Sequence, residues 1–276
     1  LDGSCPCCTA AGDFRLPGVQ QKLQPFILRA RPVDQQTKIM LKEIRILSEH
    51  GKQYISDLRK QPVSARFRGR PVISSSITAA EIEKAASLCP LNAIDGKTGA
   101  MDLGRCAFCN ECALALPAVI GFTNDYRISA TRREDLIIKP GEDGPLRIYE
   151  PAVRPEIRKL FRRALKLRQV SAGGDNSCEM ELGAAGNVNF DVGRYGIEFV
   201  ASPRHADGIV ITGPVTENMI RALEICYDAV PSPKVIIAVG TDAISGGLFH
   251  DSPAIERRFI DSHLVDLYVP GNPAHP

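Results

Sequence analysis

The chain has 276 residues, room for one large domain or two ordinary ones, and its 44% hydrophobic and 24% charged residues are those of a globular protein. It contains no apolar run near the roughly eighteen residues that a membrane-spanning helix needs. With no Trp, 6% aromatic residues and a net charge of +2, it offers no stacking platform for bases, and no nucleic acid partner is expected.

The opening stretch, LDGSCPCCTAAGD, has no charged-then-apolar secretory pattern. It also does not begin with Met, so the true start is expected upstream. Nine cysteines without such a signal point to a reducing compartment, where spaced thiols mean metal or redox chemistry before disulfides. Residues 1–39 read as an irregular extension, punctuated by Pro6, Pro17, Pro25 and Pro32. Cys5, Cys7 and Cys8 lie there without a fourth ligand nearby and are read as free thiols.

In TKIMLKEIRILSEHGKQYISDLRK, Ile39, Met40, Ile44, Leu47, Ile55 and Leu58 follow helical periodicity, with a possible break at Gly51. The run RKQPVSARFRGR (59–70) carries five basic and no acidic side chains, and reads as a solvated face or a docking surface for an acidic partner. The Pro- and Gly-rich run LIIKPGEDGPLRIYEP (136–151) reads as connecting sequence, with the linker itself at 141–154. PEIRKLFRRALKLRQ (155–169) reads as a basic amphipathic helix with Ile157, Leu160, Phe161, Ala164 and Leu167 on one face. After it, GIEFVA, GIVITG, VIIAVG and VDLYVPG are short β-branched runs ending in Gly or a small residue. Strands alternating with helices predict a parallel sheet, covered on both faces, whose functional loops lie beyond the strands' carboxyl ends. Cys226, within the helical IRALEICYDAV, reads as a small core residue.

The chemistry concentrates in CAFCNECALALP. Cys106, Cys109 and Cys112 have the C-x2-C-x2-C spacing that holds three corners of an iron–sulfur cube. The fourth Cys of that motif, before Pro, is here Leu116. In two-cluster ferredoxins each cluster takes three Cys from one run and its fourth from the other. Cys89-Pro90, in AAEIEKAASLCPLNAI, is the tail of such a second run, and counting back puts its other places at Ala79, Ile82 and Ala85. One quartet, Cys89, Cys106, Cys109 and Cys112, is therefore complete. The other, Ala79, Ile82, Ala85 and Leu116, is wholly apolar and is expected to be packed out. One [4Fe–4S] cluster is predicted, with a structural zinc ion at the same thiols as the alternative.

The flanking segments MLKEIRILSEHGKQYI, FRGRPV, CPLNAI, GRCAFCNEC and ISATRREDLII resemble the dicluster ferredoxin subunit of group 4 [NiFe]-hydrogenases and complex I. From residue 157 on, FRRALKLRQVSAGGDNSCEMEL, RYGIEFVASPRHADGIVITGPVT, PKVIIAVGTDAISGGLF and VDLYVPGNP resemble the small iron–sulfur subunit of the same enzymes, the B-type subunit of complex I. The resemblance implies a fusion: an extension (1–39), a ferredoxin-like domain (40–140), a linker (141–154) and a flavodoxin-like B-type domain (155–276).

That family carries a proximal cluster on a C-N-G-C pair, a G-x-C-A-x-x-G-G loop and a P-G-C-P loop. Here the corresponding places are Asp175, Cys178, Asp242 and Asn272. Three of four thiolates are replaced by oxygen-bearing side chains, so the resemblance implies that this cluster is lost. Two readings of the pocket stay open: a polar-filled cavity, or another metal on Asp175, Cys178 and Asp242. His205, in the family's nearby SPRHAD loop, reads as a surface histidine.

The resemblance further implies an electron-transfer subunit that packs on a large, catalytic-type subunit and other subunits of a peripheral arm. It would be cytoplasmic and would meet the inner membrane only through them. A non-redox scaffold using the same fold is the alternative. No arrangement for nucleophilic catalysis or nucleotide binding stands out, so catalytic residues are expected in a partner. The family usually continues past PGNPAHP, so a further C-terminal element is expected.

Overall fold

Five parallel strands, β5 (Leu165–Ser171), β6 (Ile197–Phe199), β7 (Gly208–Thr212), β8 (Val235–Val239) and β9 (Leu267–Val269), form one sheet. Their spatial order is β6-β5-β7-β8-β9, every neighbouring pair parallel. Numbered from β5, this is the doubly wound 2-1-3-4-5 order, whose direction reverses between β5 and β7. The computed structural model describes residues 42–49, 55, 57–144, 146, 154–161 and 164–276. Cys5, Cys7 and Cys8 lie outside them.

β7 and β8 are central strands, buried at every position, and so carry the continuous apolar runs GIVIT and VIIAV rather than an alternation. Helix α5 (Ser177–Ala185) lies between β5 and β6, α6 (Glu217–Ala229) between β7 and β8, and α7 (Thr241–Ser245) and α8 (Arg258–Ser262) between β8 and β9, while β6 and β7 are joined through the short turn Pro203–His205. Leu223 of α6 and Phe259 and Ile260 of α8 are buried in the core beside Ile209, Ile211, Ile236 and Ala238 of the sheet.

The expected helix over 155–169 is corrected. Among the described residues of this stretch, Pro155–Phe161 is helical (α4), and Leu165–Ser171 is the strand at the centre of the order reversal. Leu167 and Val170 are buried while Lys166 lies exposed. β5 is hydrogen-bonded to β6 on one side and β7 on the other. Backbone pairing on both edges overrides a weak local helix preference. Cys226 is partly buried against the core, as its place in α6 predicts.

In the front part, β1 (Pro71–Ile73) pairs with β3 (Ile120–Phe122), and β2 (Met101–Asp102) with β4 (Ile137–Ile138), both antiparallel. Between them lie α2 (Ala79–Leu88) and α3 (Glu111–Ala115). The first residues of the expected connecting run are therefore core: Leu136 is 0% and Ile138 1% exposed. Of the basic run, Arg66 and Arg68 are exposed but Arg70 is buried, donating from Nη2 to the Glu142 carbonyl.

Residues Lys52–Pro276 are one compact unit. Ala85, Met101, Leu103, Cys106 and Leu136 of the front share a hydrophobic cluster with Ile209, Ile211, Ala243 and Ile244 of the rear. Gly104 makes this possible, since a Cβ there would lie 2.7 Å from Ile244 Cγ2. Ala130 and Tyr268 exchange two backbone hydrogen bonds across the same junction. In the other unit, Leu1–Gly51, the described residues form helix α1 (42–49), with an Arg45–Glu49 ion pair at 2.8 Å. No helix among the described residues is long and apolar enough to cross a membrane.

Candidate cluster site

Cys89 ends α2. Its backbone is extended, its N–H donates to the Ala86 carbonyl at 3.2 Å, and Pro90 after it cannot continue the helix. The chain then turns, so that the Ala93 N–H donates to Cys89 Sγ at 3.2 Å. Cys106 follows β2, its N–H bonded to the Asp102 carbonyl at 3.0 Å. From there the backbone takes two left-handed steps, at Phe108 (φ 53°) and Asn110 (φ 76°). The Phe108 N–H reaches Cys106 Sγ, 3.3 Å away, and Asn110 starts α3, whose first turn carries Cys112.

Cys106 and Cys112 are buried, Cys89 is half-buried and Cys109 is exposed. All four cysteines line one small apolar cavity, whose wall also contains Leu91, Ile94, Met101 and Phe122. Burial pushes the Cys106 thiol up to about 12 and that of Cys112 to about 11, in each case with added repulsion from the neighbouring cysteines. Without a cation in the cavity, both thiols therefore stay protonated at neutral pH. Among the described residues, no three His, Cys, Asp or Glu side chains are grouped to hold a single metal ion. The four cysteines share the wall of that cavity.

At the other four-residue window, Ala79, Ile82 and Ala85 belong to α2 rather than a loop. Ile82 and Ala85 are buried and Leu116 is partly buried against the same core, while Ala79 is exposed in the first turn.

The rear positions lie beyond the carboxyl ends of the parallel strands. Asp175 precedes α5, and its Oδ1 accepts from Ser177 N–H at 2.9 Å and Ser177 Oγ–H at 2.6 Å. Those bonds hold its carboxyl below the usual range. Cys178 is buried, and burial raises its thiol, partly offset by a hydrogen bond from the Ala274 backbone. Asp242, in the first turn of α7, is pushed up by burial first and then by the charges of Asp175 and Glu179.

Asp175, Cys178 and Asp242 are thus close enough to feel one another. Asn272 sits in the adjoining loop after β9, where Gly271 O accepts from Thr241 N–H at 2.8 Å. Two of these side chains lie close against loop backbone. A Cβ on Gly240 would lie 2.4 Å from Cys178 Sγ, and one on Gly247 would overlap Asp242 Oδ1. His205 is exposed in a short turn, Pro203–His205.

Sequence reasoning missed two features. Glu179 Oε1 accepts hydroxyl hydrogen bonds from Ser171 and Thr212, both 2.6 Å, joining the two strands at the order reversal. The buried Thr241 hydroxyl donates to the Cys106 carbonyl at 2.9 Å. Strand ends carrying Ser and Thr could have signalled the first; nothing local signals the second, which spans 135 residues.

A wholly parallel sheet in this order, with a loop cluster at its reversal point, defines an α/β subunit of flavodoxin-like type. The family model described as NADH ubiquinone oxidoreductase, 20 Kd subunit, matches residues 176–276. A probable membrane-bound hydrogenase subunit (mbhJ) of Pyrococcus furiosus is 35% identical over 121 residues, covering 44% of this chain and 72% of that protein. Formate hydrogenlyase subunit 7 of Escherichia coli is 36% identical over 45% of this chain and 49% of its own length. The B subunit of NADH-quinone oxidoreductase from Geotalea daltonii is 42% identical over 36% of this chain and 58% of its own. The chain belongs to this family of hydrogenase and complex I B-type subunits, and it spans only about half the length of the last two relatives.

Proposed function

We propose that this protein is an iron–sulfur electron-transfer subunit of a membrane-attached oxidoreductase related to group 4 hydrogenases and complex I. In this reading residues 40–140 form a ferredoxin-like domain with one [4Fe–4S] cluster, and residues 155–276 a B-type domain that has lost its proximal cluster. Residues 1–39 extend the first domain and 141–154 link the two. The carrying observation is that Cys89, Cys106, Cys109 and Cys112 line a single apolar cavity.

Four cysteines in the wall of one apolar cavity fit a cube, which takes each thiolate at its own corner; a zinc ion at the same thiolates is the alternative. When bound, such a cluster supplies one-electron transfer at a potential set by burial and by hydrogen bonds to sulfur. The chain contributes both: Leu91, Ile94, Met101 and Phe122 limit water, and the Ala93 and Phe108 N–H groups soften the charge on Cys89 and Cys106.

The partners in this reading are a large catalytic-type subunit and other peripheral-arm subunits, with membrane contact made through them on the cytoplasmic side. A non-redox scaffold is a second reading, favoured by Asp175, Asp242 and Asn272 standing where the resembled family has thiolates.

Reduction of the assembled complex with dithionite or a reduced ferredoxin, followed by reoxidation with the complex's own acceptor, separates the two. The redox reading predicts that the cluster signal appears and then decays at the turnover rate. A cluster that is never reoxidised would leave only the scaffold.

A further inference from the structure

We infer that Thr241 is a positioning residue for the front thiols: its hydroxyl, through the buried Cys106 carbonyl, holds the turn that directs a backbone N–H onto the Cys106 sulfur. The inference rests on the proposal that Cys89, Cys106, Cys109 and Cys112 hold a [4Fe–4S] cluster, and it deepens that proposal by naming a residue that tunes its potential.

Thr241 is 0% exposed, and its Oγ1 donates to Cys106 O at 2.9 Å. Its own helix does not use that hydroxyl: α7 is preceded by Gly240 and has no side-chain cap. The Thr241 backbone N–H donates the other way, to Gly271 O at 2.8 Å in the rear loop. One residue therefore fastens the front thiol turn to the loop beside Asn272.

On the front side, the Cys106 N–H is bonded to Asp102 O and the Cys106 carbonyl to Thr241, so this residue is held at both ends. The following step through Ala107 delivers the left-handed Phe108, whose N–H reaches Cys106 Sγ at 3.3 Å. Hydrogen bonds to a ligating sulfur favour the more negative, reduced state of a cluster. Removing the Thr241 hydroxyl leaves a buried carbonyl unsatisfied, and the turn must move to find a new donor. The N–H···S contact then lengthens and the potential falls.

Potentiometric titration with EPR detection, on the full chain purified anaerobically, tests this with Thr241→Val, Thr241→Ala and Thr241→Ser. Iron and sulfide are counted first; a wild-type protein without them sinks the cluster proposal itself, whatever Thr241 does. With the cluster present, Thr241→Val should lower the reduced-to-oxidised ratio at the wild-type midpoint about threefold, or about 28 mV at 59 mV per decade for one electron. Thr241→Ser should titrate like wild type.

An unshifted Thr241→Val at full iron content overturns the inference, as does an equal shift in Thr241→Ser. If Val and Ala both fail to hold iron while Ser retains it, with unchanged circular dichroism in all three, the hydroxyl is again responsible. Loss of iron in all three variants assigns the effect to packing and also overturns it.

Discussion

Residues 79–85 and 106–112, which spacing aligns as the two runs of one expected cysteine motif, fold differently. In the second window Cys106, Cys109 and Cys112 sit on a loop that takes two left-handed steps, at Phe108 and Asn110, before α3 begins. In the first, Ala79, Ile82 and Ala85 form an α-helix opened by a capping box: Glu81 N–H donates to Thr78 Oγ1 at 3.3 Å and Thr78 N–H to Glu81 Oε2 at 2.8 Å. A loop that wraps a metal core must spend its backbone N–H groups on sulfur. With good helix formers in place of thiols, residues 79–85 satisfy those groups within a helix and bury Ile82 and Ala85. In the rear loops, Cys178 Sγ and Asp242 Oδ1 instead lie close against the backbone at Gly240 and Gly247.

The largest stability effect that can break this comparison is at Gly240. Its φ is 92°, and a Cβ added there would stand 2.4 Å from the Cys178 sulfur, so Gly240→Ala should cost about 3 kcal/mol. The urea midpoint should fall. An unchanged midpoint would mean that the rear loops are not packed on Cys178.

Thr78→Ala comes next. Removing the cap of α2 should destabilise by about 1 kcal/mol in the same assay, without loss of iron. Iron loss here would tie the erased window to metal binding and contradict its helical role.

The smallest effect is at Asp242. Burial and the charges of Asp175 and Glu179 raise its folded pKa above the unfolded one, so the folded state binds the extra proton. The penalty of ionisation is present above the folded pKa and disappears as pH falls below the unfolded value. Asp242→Asn should therefore stabilise by roughly 0.5 kcal/mol at pH 7, after allowance for solvent screening, and by nothing near pH 3. A destabilised variant, or wild-type stability that drops on chelation, would favour a metal on Asp175, Cys178 and Asp242.

Much of this architecture is legible in the residues. β7 and β8 announce themselves as unbroken apolar runs because both faces of a parallel sheet are covered. The thiol quartet is legible because cluster chemistry demands fixed spacing, and the apolar identity of Ile82, Ala85 and Leu116 foretells where no thiol stands. β5 is not legible: Lys166, Arg168 and Gln169 are good helix formers, and only hydrogen bonding to β6 and β7 makes LKLRQVS a strand. The Thr241–Cys106 bond is hidden for the same reason, since its partners meet only through the fold. The rear substitutions can be read one by one, but that Asp242 lies over Gly247 follows from the loop geometry alone.

The central claim is that one complete quartet of thiols, in the front part, is the protein's metal site. Anaerobic iron and sulfide analysis with EPR, on the wild type and on Cys109→Ala, addresses it most directly. Cys109 is exposed, so its removal leaves the core intact. The account predicts about four iron and four sulfide per chain and a single reduced cubane signal, abolished in Cys109→Ala with the fold retained. Two distinct clusters in the wild type, or a cubane signal that survives Cys109→Ala, would contradict it.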